Sequence, residues 1–378
     1  MEKKYPLFDI YWDDDDLEMV SNVIKRGSYW AIGPEIREFE KNLGEYHNKK
    51  FVVTFNSGTS ALHSVLLAYG IVSGDVIVPS FSFISTANCV MLAGAKPVFA
   101  EIEEETLGLD IEDVKEKITD KTKAIILVHY GGKISKNIVS LKELAEDYKL
   151  TFIEDNAESF GATLDNKLAG TFGHAGMLSF CQNKIITTGE GGAICTDDEN
   201  IYKKLKLIRS HGRVEEPNQN YFSTITEMEY IQIGYNYRMP SICAALGISQ
   251  LNKVDKIIEL RREKGTYYDK EFELVPSIQT IPELEGSKTV YQLYSLYLKD
   301  PEVREDLQNY LLEKGIFTKV YFYPIHLKTF YKSKFGYCEG DLPITEEISN
   351  KILTLPISLK FSKEDQDYII RTIKDYFQ

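Results

Sequence analysis

The segment Glu154-Asp155-Asn156-Ala157-Glu158-Ser159-Phe160-Gly161 and the later one Ser179-Phe180-Cys181-Gln182-Asn183-Lys184-Ile185-Ile186-Thr187-Thr188-Gly189-Glu190-Gly191-Gly192 organise the chain. The first places an acid, Asp155, at the carboxyl end of the apolar run Leu150-Thr151-Phe152-Ile153. That is the edge at which open α/β sheets present groups to ligands. The second places a lone lysine, Lys184, in a polar, glycine-bounded loop between two short apolar strands. Each has an ordinary alternative, since an aspartate ending a strand is commonly a helix cap and a loop lysine is commonly a solvated charge.

Working outward, short apolar runs alternate with helix-length stretches from Phe51 to Thr196. The runs are Phe51–Phe55, Val76–Pro79, Pro97–Ala100, Ala124–Val128, Thr151–Ile153, Gly176–Phe180 and Gly192–Thr196. This alternation predicts βαβ units and a largely parallel sheet covered by helices on both faces. After about Gln250 the texture changes. Lys253 to Phe272 is charged with helical period, Tyr291 to Leu298 alternates like a half-buried strand, and Val303 to Lys314 again reads as helix. Ser362-Lys363-Glu364-Asp365 resembles a capping box opening a last helix to Phe377. We expect an α/β protein with an N-terminal segment and large domain over residues 1–250 and a smaller α+β domain over 251–378.

With 378 residues, the chain is long enough for that division. A formal net charge of −13 argues against nonspecific binding to nucleic acid, which depends on lysine and arginine neutralising phosphates. It leaves room for small anions held by local donors. The start, Met1-Glu2-Lys3-Lys4-Tyr5-Pro6, runs into Asp13-Asp14-Asp15-Asp16 without an apolar core of signal-peptide length, and no apolar stretch is long enough to span a bilayer. Cys89, Cys181, Cys195, Cys243 and Cys338 are widely spaced, odd in number and form no Cys-x-x-Cys pair. A reduced, cytoplasmic protein without a disulfide framework is expected. The six histidines are equally scattered, and no metal site is expected.

Asn56-Ser57-Gly58-Thr59-Ser60-Ala61-Leu62-His63 follows the first strong strand and opens a helical stretch. Gly58 permits close approach of a ligand, and the first amides of a helix favour an anion, so the turn fits a phosphate cup; an ordinary capped strand-to-helix turn fits equally. It lacks the lysine of a triphosphate loop and the spacing of a dinucleotide fingerprint. The next strand runs into Pro79-Ser80-Phe81-Ser82-Phe83, which brings an aromatic to the same edge. Phe83 either stacks on a flat heteroaromatic ring, worth roughly 1 kcal/mol beyond burial, or is plain core. An acid for a pyridinium nitrogen and an amine for a Schiff base are the two groups that pyridoxal 5'-phosphate (PLP) chemistry requires.

The order Ser-Gly-Thr-Ser-Ala-Leu, Pro-Ser-Phe-Ser-Phe, Glu-Asp-Asn-Ala-Glu-Ser, Ser-Phe-x-x-x-Lys with Gly-Glu-Gly-Gly, and then Gly234-Tyr235-Asn236-Tyr237-Arg238-Met239 resembles the DegT/DnrJ/EryC1/StrS sugar aminotransferases. The resemblance extends from Gly33-Pro34 to Tyr323-Pro324-Ile325-His326. It implies fold type I of the PLP enzymes, with Lys184 as the Schiff-base lysine that later moves the proton, and Asp155 paired with the ring nitrogen. At about 3 Å and an effective dielectric of about 20, that pair is worth on the order of 5 kcal/mol of gross Coulomb attraction. Gly58, Thr59, Ser60 and Ser179 are then the phosphate holders, Phe83 the stacking ring, and Glu158 a neighbour of the cofactor's ring oxygen. Asn236 would reach the cofactor phosphate of a neighbouring subunit, so the resemblance implies a homodimer with shared active sites. The implied substrates are L-glutamate and a nucleotide-linked keto-sugar, with a lean towards a 4-keto-6-deoxyhexose of the perosamine kind. The implied setting is amino-sugar biosynthesis for surface glycans such as lipopolysaccharide O-antigen.

Two features depart from many relatives. Glu158 stands where Gln or His is common, and Tyr130-Gly131-Gly132-Lys133-Ile134-Ser135-Lys136-Asn137 lacks the Pro-x-Asp that often follows the glycine. His63 is expected to be a packed helix residue, while Arg209-Ser210-His211-Gly212 and Tyr321-Phe322-Tyr323 resemble segments on the substrate side. A PLP-dependent keto-sugar dehydratase is the enzymatic alternative, but relatives of that class carry His in place of Lys184. A non-catalytic PLP-binding regulatory protein is the other alternative.

Overall fold

The computed structural model describes residues 4–214 and 227–378. Thirteen strands were assigned among these residues: β1 (Phe51–Phe55), β2 (Asp75–Pro79), β3 (Lys96–Ala100), β4 (Thr122–Val128), β5 (Thr151–Asp155), β6 (Thr163–Leu164), β7 (Lys167–Leu168), β8 (Ala175–Ser179), β9 (Gly192–Thr196), β10 (Ile278–Thr280), β11 (Ser287–Lys288), β12 (Tyr294–Leu298) and β13 (Ile352–Leu355). Seven of them form one sheet in the order β1-β9-β8-β5-β4-β2-β3. Three others form a second sheet, β10-β12-β13, and a small sheet β11-β6-β7 completes the set.

Within the large sheet, β3, β2, β4, β5 and β8 pair in parallel, and β9 is antiparallel to both β8 and β1. β9 therefore runs against its six companions. The alternation of the sequence predicts the mostly parallel sheet but not this reversal, because a five-residue apolar run carries no direction. As a consequence, β1, β2, β4, β5 and β8 all deliver their carboxyl ends to one edge, and β9 begins there.

Side chains along these strands alternate between faces with period two. Val52, Ile77, Ile125, Leu127, Phe152 and Leu178 enter one buried cluster, while Val53, Val76, Val78, Ile126, Ile153 and Met177 enter another. Helices such as Gly58–Ala68 and Ile138–Asp147 cover the two faces, so every backbone group of the central strands is kept from water while its donors and acceptors pair laterally. The expected C-terminal helices are present, and the strand expected to be half-buried over Tyr291–Leu298 is β12, Tyr294–Leu298, buried along its whole length because it is the central strand of its sheet. The long helix spans Val254–Phe272, the next Val303–Glu313, and the last Lys363–Tyr376 opens with a capping box between Ser362 and Asp365. Tyr268, Phe272, Leu296, Leu298, Ile369 and Ile373 share one apolar cluster there.

The start of β9 touches the turn after β1. A Cβ on Gly192 would lie 2.6 Å from both the Gly58 nitrogen and the Ser57 carbonyl oxygen, closer than side chains approach backbone. Gly192→Ala is expected to lower stability by about 1–3 kcal/mol through forced backbone movement. Urea unfolding of the purified variant measures this, and an unchanged midpoint would show that the two segments are less tightly apposed than described.

Candidate active site

At the shared carboxyl edge lies a cavity of about 610 Å³. Gly58, Thr59, Phe83, Asp155, Glu158, Ser179 and Lys184 all line it. β1 leads into Ser57, which caps the helix Gly58–Ala68: its Oγ accepts a hydrogen bond from the Ser60 nitrogen at 3.0 Å. Ser60 turns its own hydroxyl to Ser57 at 2.9 Å and is buried, so it does not line the cavity. Ser57 does line it. The motif locates this turn, but it does not say that Ser57, which closes the cap, is also the serine on the cavity wall in place of Ser60.

Asp155 ends β5 and is buried. Its Oδ2 accepts from Thr86 Oγ1 at 3.0 Å and its Oδ1 from the Ala157 nitrogen at 3.2 Å. Ser82 and Thr86 hydroxyls lie 2.8 Å apart, which orients the donor. Burial raises the Asp155 pKa above the ordinary aspartate value, against the opposing pull of these two hydrogen bonds and the Lys184 charge. A carboxylate so placed favours a cationic partner.

Lys184 is held by the loop between β8 and β9. The Phe180 nitrogen donates to the Gly191 carbonyl at 2.9 Å, the Thr188 nitrogen to the Phe180 carbonyl at 3.0 Å, and the Lys184 nitrogen to the Cys181 carbonyl at 3.0 Å. Buried Ile185 and Ile186 pin the loop from below. Lys184 Nζ stands 3.6 Å from Glu158 Oε1, and the other Glu158 oxygen accepts from the Gly131 nitrogen at 3.0 Å. Gly131 and Gly132 both have positive φ, a conformation that glycine adopts without Cβ strain. The segment that lacks Pro-x-Asp thus supplies the Gly131 amide to Glu158.

Phe83 is 59% exposed on the cavity wall, which removes the core alternative; Phe81, two residues earlier, is the buried one. Tyr321, Phe322 and Tyr323 also line the cavity, on a segment tied to β2 by His326. The His326 nitrogen donates to Ser80 Oγ at 3.0 Å, its Nδ1 lies 2.7 Å from the same oxygen, and its Nε2 lies 3.1 Å from Glu346 Oε1. His63 is packed as expected, against Tyr235 and Tyr237, and burial lowers its pKa. Arg209 is directed elsewhere: it pairs with Glu40 and does not line this cavity. Asn236 is exposed and also lies outside this chain's cavity lining, with its carbonyl near Asn56 Nδ2 at 3.4 Å.

A second charged cluster behind Asp155 is not visible in the motifs. Glu154, fully buried on the opposite face of β5, accepts from His129 Nε2 at 3.0 Å, the Gly170 nitrogen at 2.7 Å and the Gly173 nitrogen at 2.6 Å. Because His129 Nδ1 accepts from the Ser135 nitrogen at 3.2 Å, its proton sits on Nε2, facing Glu154. Only the Glu-Asp pair at a strand end hints at it, since adjacent strand residues point to opposite faces.

These donors fit PLP. An amine for the aldehyde, a buried carboxylate for a ring cation, a glycine turn with helix amides and hydroxyls for a phosphate, and an aromatic for the ring face lie in one cavity. Among the described residues no cluster of metal-ligating side chains occurs, and no helix is long and apolar enough to cross a membrane.

Comparison with known proteins agrees. The profile of the DegT/DnrJ/EryC1/StrS aminotransferase family matches residues 11–374. GDP-perosamine synthase of Escherichia coli O157:H7 is 36% identical over 376 residues, covering 99% of this chain and 99% of that one. Among solved structures, the Helicobacter pylori aminotransferase PseC, involved in pseudoaminic acid biosynthesis, superposes with a TM-score of 0.92 at 29% identity, covering 99% of each chain. The aminotransferase TlmJ from Streptoalloteichus hindustanus gives 0.90 at 27% identity, covering 99% of this chain and 98% of that one. The architecture is that of the fold type I PLP enzymes, as the sequence leads one to expect.

The raised Asp155 pKa has a measurable consequence. The native state holds this proton more tightly than the unfolded chain, so without a cationic partner the carboxylate costs stability above the ordinary aspartate range, and the cost fades as pH falls towards it. Asp155→Asn is therefore expected to raise the Tm of the cofactor-free protein at neutral pH by on the order of 2 °C, with the gain shrinking at acid pH. PLP affinity should fall at least about tenfold in the same variant, a loss of roughly 1.4 kcal/mol. Thermal scans from neutral to acid pH and a PLP titration check both; a lower Tm at neutral pH would contradict the account.

Proposed function

The chain belongs to the DegT/DnrJ/EryC1/StrS aminotransferase family of PLP-dependent sugar aminotransferases, and from that membership we propose that it moves an amino group from L-glutamate to a nucleotide-linked 4-keto-6-deoxyhexose. The observation that carries this is the single cavity in which Lys184 Nζ stands 3.6 Å from Glu158 and shares its walls with buried Asp155 and the Ser57-Gly58-Thr59 turn. Bound PLP supplies an electron sink for the carbon that gains or loses a proton.

The chain's residues supply the rest. Lys184 Nζ would hold the cofactor and, as a free amine, would move the proton between the two carbons of the amine transfer. Glu158 Oε1 keeps that nitrogen in place and balances its charge. Asp155 keeps the ring nitrogen protonated. Ser57, Gly58, Thr59 and Ser179 would hold the phosphate through hydroxyls and helix amides, and Phe83 would stack on the ring. The large domain, residues 1–250, provides these groups, and the small domain, 251–378, closes the cavity with the segment 319–328.

A homodimer completes the site in this account, with Asn236 reaching the partner's cofactor phosphate. Supporting it, Tyr230, Ile231 and Ile233 on the same segment are exposed, as are Trp12 and Trp30. Large apolar groups left in water on one chain are suited to an isologous interface. On this reading the protein works in the cytoplasm, in amino-sugar biosynthesis for surface glycans.

The visible spectrum of the PLP-loaded protein tests the donor step: L-glutamate should convert the yellow form to the pyridoxamine form, and nucleotide-linked 4-keto-sugars should reverse it. Lys184→Ala should reduce turnover by at least about a thousandfold. A spectrum indifferent to glutamate, or full turnover by Lys184→Ala, would remove the proposal.

A further inference from the structure

The cavity that holds Lys184 carries two more lysines at its rim, Lys319 and Lys328. Neither forms an ion pair with a carboxylate among the described residues, whereas Lys49, Lys117 and Lys253 each do. Each instead sits over an aromatic face: Lys319 Nζ is 4.7 Å from the centroid of the Tyr321 ring, and Lys328 Nζ is 4.8 Å from that of Tyr323. Both rings line the same cavity. An ammonium held by a ring face is positioned while its N–H donors stay available.

The backbone beneath them is fixed. Lys319 exchanges two hydrogen bonds with Thr354 of β13, at 3.1 and 2.8 Å, and the Lys328 nitrogen donates to the Ile325 carbonyl at 2.9 Å. Between them, the His326 contacts with Ser80 anchor the segment to β2. The lysines are thus mounted on a tethered strap and not on a free loop. Both lysines are exposed at the rim, so an anion can reach either ammonium from solvent.

The charge of the surroundings makes such cations necessary for an anionic substrate. The chain carries a net −13, and Asp155, Glu158 and Glu190 all line this cavity. Lys184 is committed to the reacting atoms. A diphosphate entering here is repelled unless local donors offset that field, and lysine binds phosphate as a compact point charge.

We infer that Lys319 and Lys328 form a clamp for the diphosphate of the nucleotide-linked acceptor. This rests on the proposed acceptor class. The base then lies beyond the strap, and the sugar points inward to Lys184.

Calorimetric titration of the PLP-loaded protein with guanosine, uridine and thymidine diphosphate, each beside its own nucleoside, tests the clamp. For at least one base the diphosphate should bind about a hundredfold more tightly than the nucleoside, and K319Q/K328Q should cut that margin by on the order of tenfold per lysine. K319R/K328R should retain most of it. The absorption band of the bound cofactor verifies that each variant has assembled its site. An unchanged margin in K319Q/K328Q overturns the clamp while leaving the nucleotide-linked acceptor standing. A wild-type protein that binds none of the diphosphates overturns both.

Discussion

The buried carboxylate of Asp155 is the constraint on which the site depends. Removing a charge from water is costly unless hydrogen bonds or an opposite charge replace the lost hydration. Here two donors, Thr86 Oγ1 and the Ala157 nitrogen, replace part of it. The remainder is left for a ligand, and the fold is arranged so that the ligand finds it. Thr86 is oriented by Ser82, on the segment after β2 that also presents Phe83; the amide of Ala157 comes from the turn directly after β5; and Lys184 arrives from the loop that lets β9 reverse. A stability cost in the empty protein becomes binding energy when a cation fills the place.

Glu154 and Asp155 show how one strand end serves two purposes. Their side chains leave β5 on opposite faces. Glu154 accepts from His129, Gly170 and Gly173, so it knits three segments together, and its complete burial away from the cavity keeps it from a ligand. Glu158 stands between these cases. The Gly131 amide and the Lys184 ammonium together meet its charge, which explains how a second carboxylate is tolerated beside Asp155 in one cavity.

Much of this was legible in the chain. Runs such as Ile125–Val128 are buried on both faces and read as strands without ambiguity, and the acid at a strand end with a glycine-bounded lysine marks the site because such polar groups have little reason to follow apolar runs. Other features were hidden for physical reasons. The direction of β9 is set by the length and path of the Lys184 loop, not by its own five residues. The choice between Ser57 and Ser60 depends on cap geometry, since either hydroxyl suits the motif. The rim lysines lie more than 130 residues from Lys184 in sequence and share its cavity because tertiary hydrogen bonds, from Ile325 and His326 to Ser80 and from Tyr130 to the Tyr321 carbonyl, draw their segment there. Asn236 cannot be placed from one chain, because its proposed target is on another.

The proposed site holds PLP on Lys184 with Asp155 at the ring nitrogen. Borohydride reduction of the PLP-treated protein, followed by peptide mass mapping, tests it most directly, since reduction fixes the cofactor to the nitrogen that carries it. The account predicts one modified site per chain, on the peptide containing Lys184, and a markedly weaker yield from Asp155→Asn at equal PLP. Modification at another lysine, or none at Lys184, would contradict it.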